Sequence, residues 1–417
     1  MTSRFGSAPL IPQDLIAHYI RELGKCGEQP NGGIIRPQYS QSWVEARGLI
    51  AEWMHEAGLD IRYDSVGNLY GRLVGVDDRR TILTGSHIDT VQLGGKYDGA
   101  LGVLCGLAAL ETLRKNVGQP QRSLEVVALC EEEGSRFHAN YFGTRAILGL
   151  IDRQEFAHLL DQDGVSLAEA MISVGLSPER FQESIRDDID AFIELHIEQG
   201  PILYESGIDI GVVTGITGLC WLNVIVSGRA DHAGTTPMDS RLDALQCAVN
   251  LVLAISDVAK RRGRPAVATV GMMKVEPGGA NIVPGLVSFS VDMRHPDDAE
   301  LMKMIEEVRK CCQEIASDAS IDVSVELVKN EESAPTDERL QQVIIGAAQA
   351  CNVSWTSISS GAGHDSQLMA KHIPSAMIFV PSVDGRSHSA MEYTLDRACA
   401  IGAHVLATSL YALAYDQ

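Results

Sequence analysis

Leu83-Thr-Gly-Ser-His-Ile-Asp-Thr-Val91 runs almost directly into Gly94-Gly-Lys-Tyr-Asp-Gly-Ala-Leu-Gly102. The apolar residues 81–83 predict a buried strand that stops in small residues just before His87. A strand ending there delivers His87 and Asp89 to the C-terminal edge of a sheet, where open α/β folds place their ligands. Asp98 lies in the glycine-rich turn, and a helix of small and apolar residues is predicted over 100–115. Neutral imidazole and carboxylates within one turn-rich segment make up half of a metal site. The other half has to come from elsewhere in the chain.

On either side the pattern repeats. Apolar residues at helical spacing predict helices over 11–26 and 40–57, followed by strands over 59–64 and 68–74 that turn at Gly67-Asn68. A strand over 123–130, several short helices within 142–186 and a strand over 191–197 complete a strand–helix–strand order. That order predicts a mostly parallel sheet flanked by helices. After Gly211 the character changes to strands over 222–226, 267–275, 286–293 and 321–327, separated by amphipathic helices over 241–262 and 296–317. From about Asn330 the earlier pattern resumes, with helices over 337–351, 364–371 and 395–414 and a strand over 375–380. The expected fold class is α/β. A catalytic domain (1–211 and 330–417) is interrupted by an α+β insert (212–329) with a four-stranded antiparallel sheet and two helices.

A chain of 417 residues suits two domains. Its 34 basic and 55 acidic residues give a formal charge of -21, which argues against nucleic acid and gives no attraction to anionic membranes. No stretch is expected to span a bilayer, and Met1 to Ile11 lacks the layout of a signal peptide. Nine scattered cysteines, an odd number without C-x-x-C spacing, fit reduced thiols in a cytoplasm.

Three further segments carry candidate chemistry. Cys130-Glu-Glu-Glu-Gly-Ser-Arg136 ends a strand; alone, such a charge run is a solvated turn. His196, in Glu194-Leu-His-Ile-Glu-Gln-Gly200, would alone be a satisfied core histidine, and His388 would alone be a surface one. Consecutive strand ends converge in space, however, and a cation is the simplest reason to hold several carboxylates together.

As an ordered set these motifs resemble the dinuclear-metal, M20-type peptidase/amidase superfamily. They are most similar to its hydantoinase/carbamoylase branch of N-carbamoyl-L-amino acid hydrolases, β-ureidopropionases and allantoate amidohydrolases. The resemblance includes Asp231-His-Ala-Gly-Thr-Thr-Pro-Met238, Asn281-Ile-Val-Pro284, Asp292-Met-Arg294, Ser360-Gly-Ala-Gly-His-Asp365 and Ser387-His388, and runs from about Gly27 onward. It implies two divalent ions per subunit, zinc foremost, with manganese, cobalt or nickel as alternatives. Asp98 would bridge them, His87 and His196 completing one position and Glu133 and His388 the other. Glu132 would be the general base, with Asp89 orienting His87. Gln199, His232, Asn281, Arg294, Gly361 and His364 would contact substrate: Arg294 by pairing with the substrate's carboxylate, His232 across a homodimer formed by the insert, which would also act as a lid.

The substrate implied is a small molecule with a ureido or carbamoyl C–N bond. Glu131 to Phe137, continuing into Asn140-Tyr-Phe-Gly-Thr144, is closer to the allantoate enzymes. Gly218-Leu-Cys-Trp221 is apolar where a basic donor for the second ureido arm of allantoate is expected. The expectation is therefore an N-carbamoyl-L-amino acid, with allantoate or ureidoglycolate as the alternative. An aminopeptidase and a catalytically silent binding protein are the competing classes, and intact Asp98 and Glu132 weigh against the second.

Overall fold

The computed structural model describes residues 8–415, so the stretch from Met1 to Ile11 lies outside the described residues as far as position 7. The chain divides into two compact units. The first comprises the residues up to Thr214, Pro335–Ile358 and those from His364 onward; the second comprises Gly215–Ala334 and Ser359–Gly363.

The first unit opens with helices α1 (Gln13–Leu23) and α2 (Gln41–Glu56) and strands β1 (Asp60–Tyr63) and β2 (Leu69–Leu73). Next come β3 (Asp77–His87), α3 (Ala100–Asn116) and β4 (Arg122–Leu129). Short helices α4 (Phe142–Ile147), α5 (Glu155–His158) and α6 (Leu167–Ser173) lead to β5 (Ile189–Ile197), α7 (Ile202–Ser206) and β6 (Ile210–Ile216). The second unit supplies β7 (Gly218–Ser227), β8 (Asp231–His232), α8 (Ala244–Arg262), β9 (Val267–Thr269) and β10 (Met273–Glu276). It continues through β11 (Ile282–Val283), β12 (Leu286–His295), α9 (Asp298–Ala319) and β13 (Asp322–Glu331). The remaining elements are β14 (Ala334–Pro335), α10 (Glu338–Ala350), β15 (Trp355–Ser360), α11 (Asp365–Met369), β16 (Ser375–Val380) and α12 (Asp396–Ala414).

The main sheet runs β1-β2-β4-β3-β5-β16-β6-β14, with β15 beside β6. Its centre, β4-β3-β5-β16, is parallel, while β1, β2 and β6 join antiparallel. Strands buried on both faces read as continuous apolar runs; β16 does so after Ser375, whereas β4 and β5 are interrupted by buried Glu125, Glu194 and His196. Helix α3 is buried along nearly its whole length, because Ala, Gly, Leu and Cys side chains let it lie close to the sheet. Four parallel strands thus end at one edge, carrying His87, Cys130 and the glutamates after it, His196, and the loop that follows Val380.

Several expectations are corrected. The insert sheet has five strand segments, because the run expected over 267–275 breaks at Val270-Gly271-Met272 into β9 and β10, both paired with β12. Helices α8 and α9 begin later than their apolar periodicity suggested, since Asp243 and Asp297 cap them by accepting backbone N–H bonds. The helix expected over 364–371 is the five-residue α11. Strands β6, β14 and β15 escaped the pattern, being short and rich in Gly, Thr and Ser. Helix α12 is long and apolar enough to cross a membrane by length and composition, contrary to expectation, but 67% of that window is buried inside the fold. It packs against α1 and α3 as a core helix.

Candidate metal centre

The ends of β3, β4 and β5 and the loop after β16 bring the first unit's candidate residues together. His87 and His196 are almost fully buried, and in each the Nδ1 faces a backbone carbonyl: His87 to Asp89 O at 3.0 Å, His196 to Ile197 O at 2.9 Å. An Nδ1–H donated to a carbonyl fixes the tautomer and turns the Nε2 lone pair toward the centre, where that of His196 accepts from Gly99 N–H at 3.0 Å. Both Nε2 atoms face Asp98 Oδ1, at 3.6 Å from His87 and 3.2 Å from His196. The other oxygen, Asp98 Oδ2, lies 3.4 Å from His388 Nε2, which is 3.5 Å from Glu133 Oε1.

Two metal-capable groups result, His87–Asp98–His196 and Asp98–Glu133–His388, sharing Asp98. Their spacings fit a cation. Ligands about 2.1 Å from a tetrahedral ion stand about 3.4 Å from one another. The nitrogen–oxygen pairs, at 3.2–3.6 Å, match the edge of such a tetrahedron. A third group, Glu194–His196–His364, lies alongside, and a fourth joins His87, Glu132 and Glu133.

The glutamate run is no solvated turn. Glu131, at φ 52°, turns its carboxylate inward, where Oε1 accepts from the N–H groups of Arg136 and Phe137, and burial pushes its pKa up to about 8. Glu132 is buried with Oε2 at 3.8 Å from His87 Nε2. Burial, then the charges of Glu133, Asp365 and Asp89, hold its pKa well above the carboxylate range despite His87. Burial and Asp98 raise Glu133 to about 7. Burial disfavours charge on His87 and Asp98, but their mutual bond and the surrounding opposite charges win, raising His87 and lowering Asp98. The bond to Asp98 lifts His388, half-exposed, to about 9.

Asp89 acts differently from the expectation. Its backbone carbonyl, not its carboxylate, meets His87 Nδ1; the nearer carboxylate oxygen is 3.6 Å away. The carboxylate instead accepts from the backbone N–H groups of Glu132 and Glu133, both at 3.1 Å. It therefore sets the course of the whole glutamate turn.

Gln199, at φ 57°, donates from Nε2 to Asp98 Oδ2 at 2.8 Å, leaving its buried Oε1 without a partner. A strained backbone and an orphaned acceptor in one residue suit a ligand contact. His364 is buried edge-on against His196, ring centroids 4.5 Å apart, and burial holds its pKa well below the usual range.

The second unit carries its own polar set. His232 and Asn281 are brought together by the β8–β11 ribbon, where Ala233 N–H donates to Asn281 O. His232 Nδ1 accepts from Gly234 and Thr235, so Nε2 carries the hydrogen and remains a donor. Arg294 forks onto Asp292 (3.0 and 2.9 Å) and donates to Gly361 O at 2.8 Å. Trp221 Nε1 donates to the same Asp292, and the β7–β12 register sets Leu219 opposite Arg294. Sequence reasoning missed Glu392, a buried carboxylate at the metal centre; an acid four residues beyond His388 was the available signal.

Comparison with known proteins agrees with this geometry. Residues 83–412 match Peptidase family M20/M25/M40. The allantoate amidohydrolase of Bacillus subtilis is 40% identical, covering 96% of this chain and 97% of its own length. The N-carbamoyl-L-amino-acid amidohydrolase of Paenarthrobacter aurescens is 41% identical over 90% of this chain and 92% of its own. Among solved structures, an amidase of the hydantoinase/carbamoylase family from Burkholderia multivorans superposes with a TM-score of 0.90 at 34% identity. That match covers 96% of this chain and 97% of the other.

Proposed function

The chain belongs to peptidase family M20/M25/M40, and from that premise we propose that it hydrolyses the ureido C–N bond of an N-carbamoyl-L-amino acid. The observation that carries the reading is the pair of metal-capable groups sharing Asp98, with the buried Glu132 beside them. His87 and His196 would hold one divalent ion with Asp98, Glu133 and His388 the other. Zinc suits this mixed imidazole and carboxylate set, as do manganese, cobalt and nickel. Bound there, a pair of such ions supplies Lewis acidity to a carbonyl and acidifies water.

Glu132 takes the proton of the attacking water and delivers it to the departing nitrogen, so that the C–N bond breaks with a neutral leaving group. Its raised pKa suits a group that must both accept and donate. Asp89 supports this by holding the Glu132 and Glu133 backbone in place. Arg294, steadied by Asp292, receives the substrate carboxylate, and His232, Asn281, Gln199, Gly361 and His364 complete the contacts. Leu219 and Trp221 beside Arg294 favour an apolar side chain on the substrate.

The second unit serves as lid and dimer interface. Its edge strand β13 exposes Leu327 and Val328, and such an edge favours pairing with a second copy. Free cysteines throughout the described residues suit a cytoplasmic enzyme. Allantoate is the second reading, favoured by the likeness to the Bacillus subtilis enzyme. A turnover screen of the metal-loaded protein on N-carbamoyl-L-amino acids, allantoate, ureidoglycolate and a dipeptide separates them. Fastest turnover of an apolar N-carbamoyl-L-amino acid is expected; preference for allantoate replaces the first reading with the second, and preference for the dipeptide removes both.

A further inference from the structure

The loop after β16 carries a carboxylate that the proposed reaction does not use. Glu392 is only 6% exposed. Its Oε1 accepts from the backbone N–H groups of Tyr97 (2.9 Å) and Asp98 (3.0 Å). Its Oε2 lies 3.0 Å from the Ser387 hydroxyl, which sits 2.7 Å from Asp98 Oδ2 as a donor to it. One carboxylate thus grips Asp98 by its backbone and lies beside the Ser387 hydroxyl, whose one hydrogen goes to the Asp98 side chain. It also ties the glycine-rich turn after β3 to the loop that carries His388. Gly95 shows how closely these parts fit: a Cβ there would lie 2.1 Å from Glu392 Oε1. The second glycine of Gly94-Gly95 therefore makes room for this carboxylate.

We infer that Glu392 is a positioning residue that keeps Asp98 and His388 in register, and so shapes the Asp98–Glu133–His388 cation position. The inference rests on the reading of Asp98 as the shared ligand. Groups that orient ligands from behind typically contribute about 10–100-fold to metal affinity. Glu392 acts on the Oδ2 side of Asp98 and on the His388 loop, whereas His87 and His196 meet Oδ1 from β3 and β5. Its loss should weaken one cation position and spare the other.

The test is calorimetric titration of the chelated, full-length protein with Mn²⁺, with the thermal midpoint of each chelated variant as a folding control. Wild type is expected to show two binding events. Glu392→Ala should weaken one of them by about 10–100-fold while the other stays near wild type. Glu392→Gln, which keeps an acceptor for the two N–H groups, should recover most of the loss. Two wild-type events in Glu392→Ala overturn the inference. If that variant does not fold, Glu392→Asp carries the test, since its shorter side chain draws the carboxylate back from the Tyr97 and Asp98 N–H groups. A several-fold loss at one position then supports the inference, and an unchanged titration overturns it. Asp98→Asn separates the two levels of failure: it should lose both events. If it binds two ions like wild type, the shared-ligand reading itself fails and the role of Glu392 falls with it.

Discussion

Glu131, Glu132 and Glu133 are chemically alike and adjacent, yet each has a separate setting. The positive φ at Glu131 and the two N–H bonds to Asp89 turn the first inward, set the second near His87 and the third near His388. Glu132→Gln should therefore leave the metal content near that of wild type and lower kcat by about 10²–10⁴-fold. Metal analysis alongside steady-state kinetics checks this; loss of an ion from Glu132→Gln, with Glu133→Gln still fully loaded, would exchange the two roles. Proton inventory offers a second check. The bond to Asp98 pushes the His388 pKa up to about 9, so at pH 7 it holds a proton that a cation must displace. Metal binding should release protons at pH 7, and affinity should rise toward pH 9, by about tenfold per unit for each proton displaced. Calorimetry in two buffers of different ionisation enthalpy measures the release directly, and equal heats in both would contradict the assignment of His388.

At the level of elements, the metal centre is where parallel strands stop, and those strands were readable because burial on both faces leaves mainly apolar runs. The residues from β3, β4 and β5 were legible for that reason. Glu392 was not, because a lone acid in an irregular loop resembles any solvated one until its N–H partners, distant in sequence, are known. Helix starts at Asp243 and Asp297 were misplaced because periodicity continues past the true caps. The split of the 267–275 run was hidden because both halves keep strand-like composition. Helix α3 supplies a prediction at this scale. A Cβ on Gly102 would stand 2.3 Å from Leu195 O, so α3 lies against β5 as closely as backbone allows. Gly102→Ala should destabilise the protein by about 1–3 kcal/mol through overpacking, seen as a lower denaturant midpoint. An unchanged midpoint would mean that α3 does not pack this closely.

For the whole molecule, the proposed dimer would have two copies completing each other's sites. His232 keeps an Nε2 hydrogen to donate, and β13 offers its exposed edge to a second copy. Mixing inactive His232→Ala with inactive His196→Ala, under conditions where subunits exchange, should restore one working site per mixed dimer. No recovery despite demonstrated exchange would place His232 in its own chain's site or outside catalysis. The central claim, that two cations around Asp98 make this chain a ureido hydrolase, is tested most directly by counting them against turnover. The chelated protein is titrated with Mn²⁺ or Zn²⁺ while hydrolysis of an apolar N-carbamoyl-L-amino acid is followed. Activity should vanish on exhaustive chelation and return in full as the second ion per chain binds; turnover that survives chelation unchanged would contradict the account.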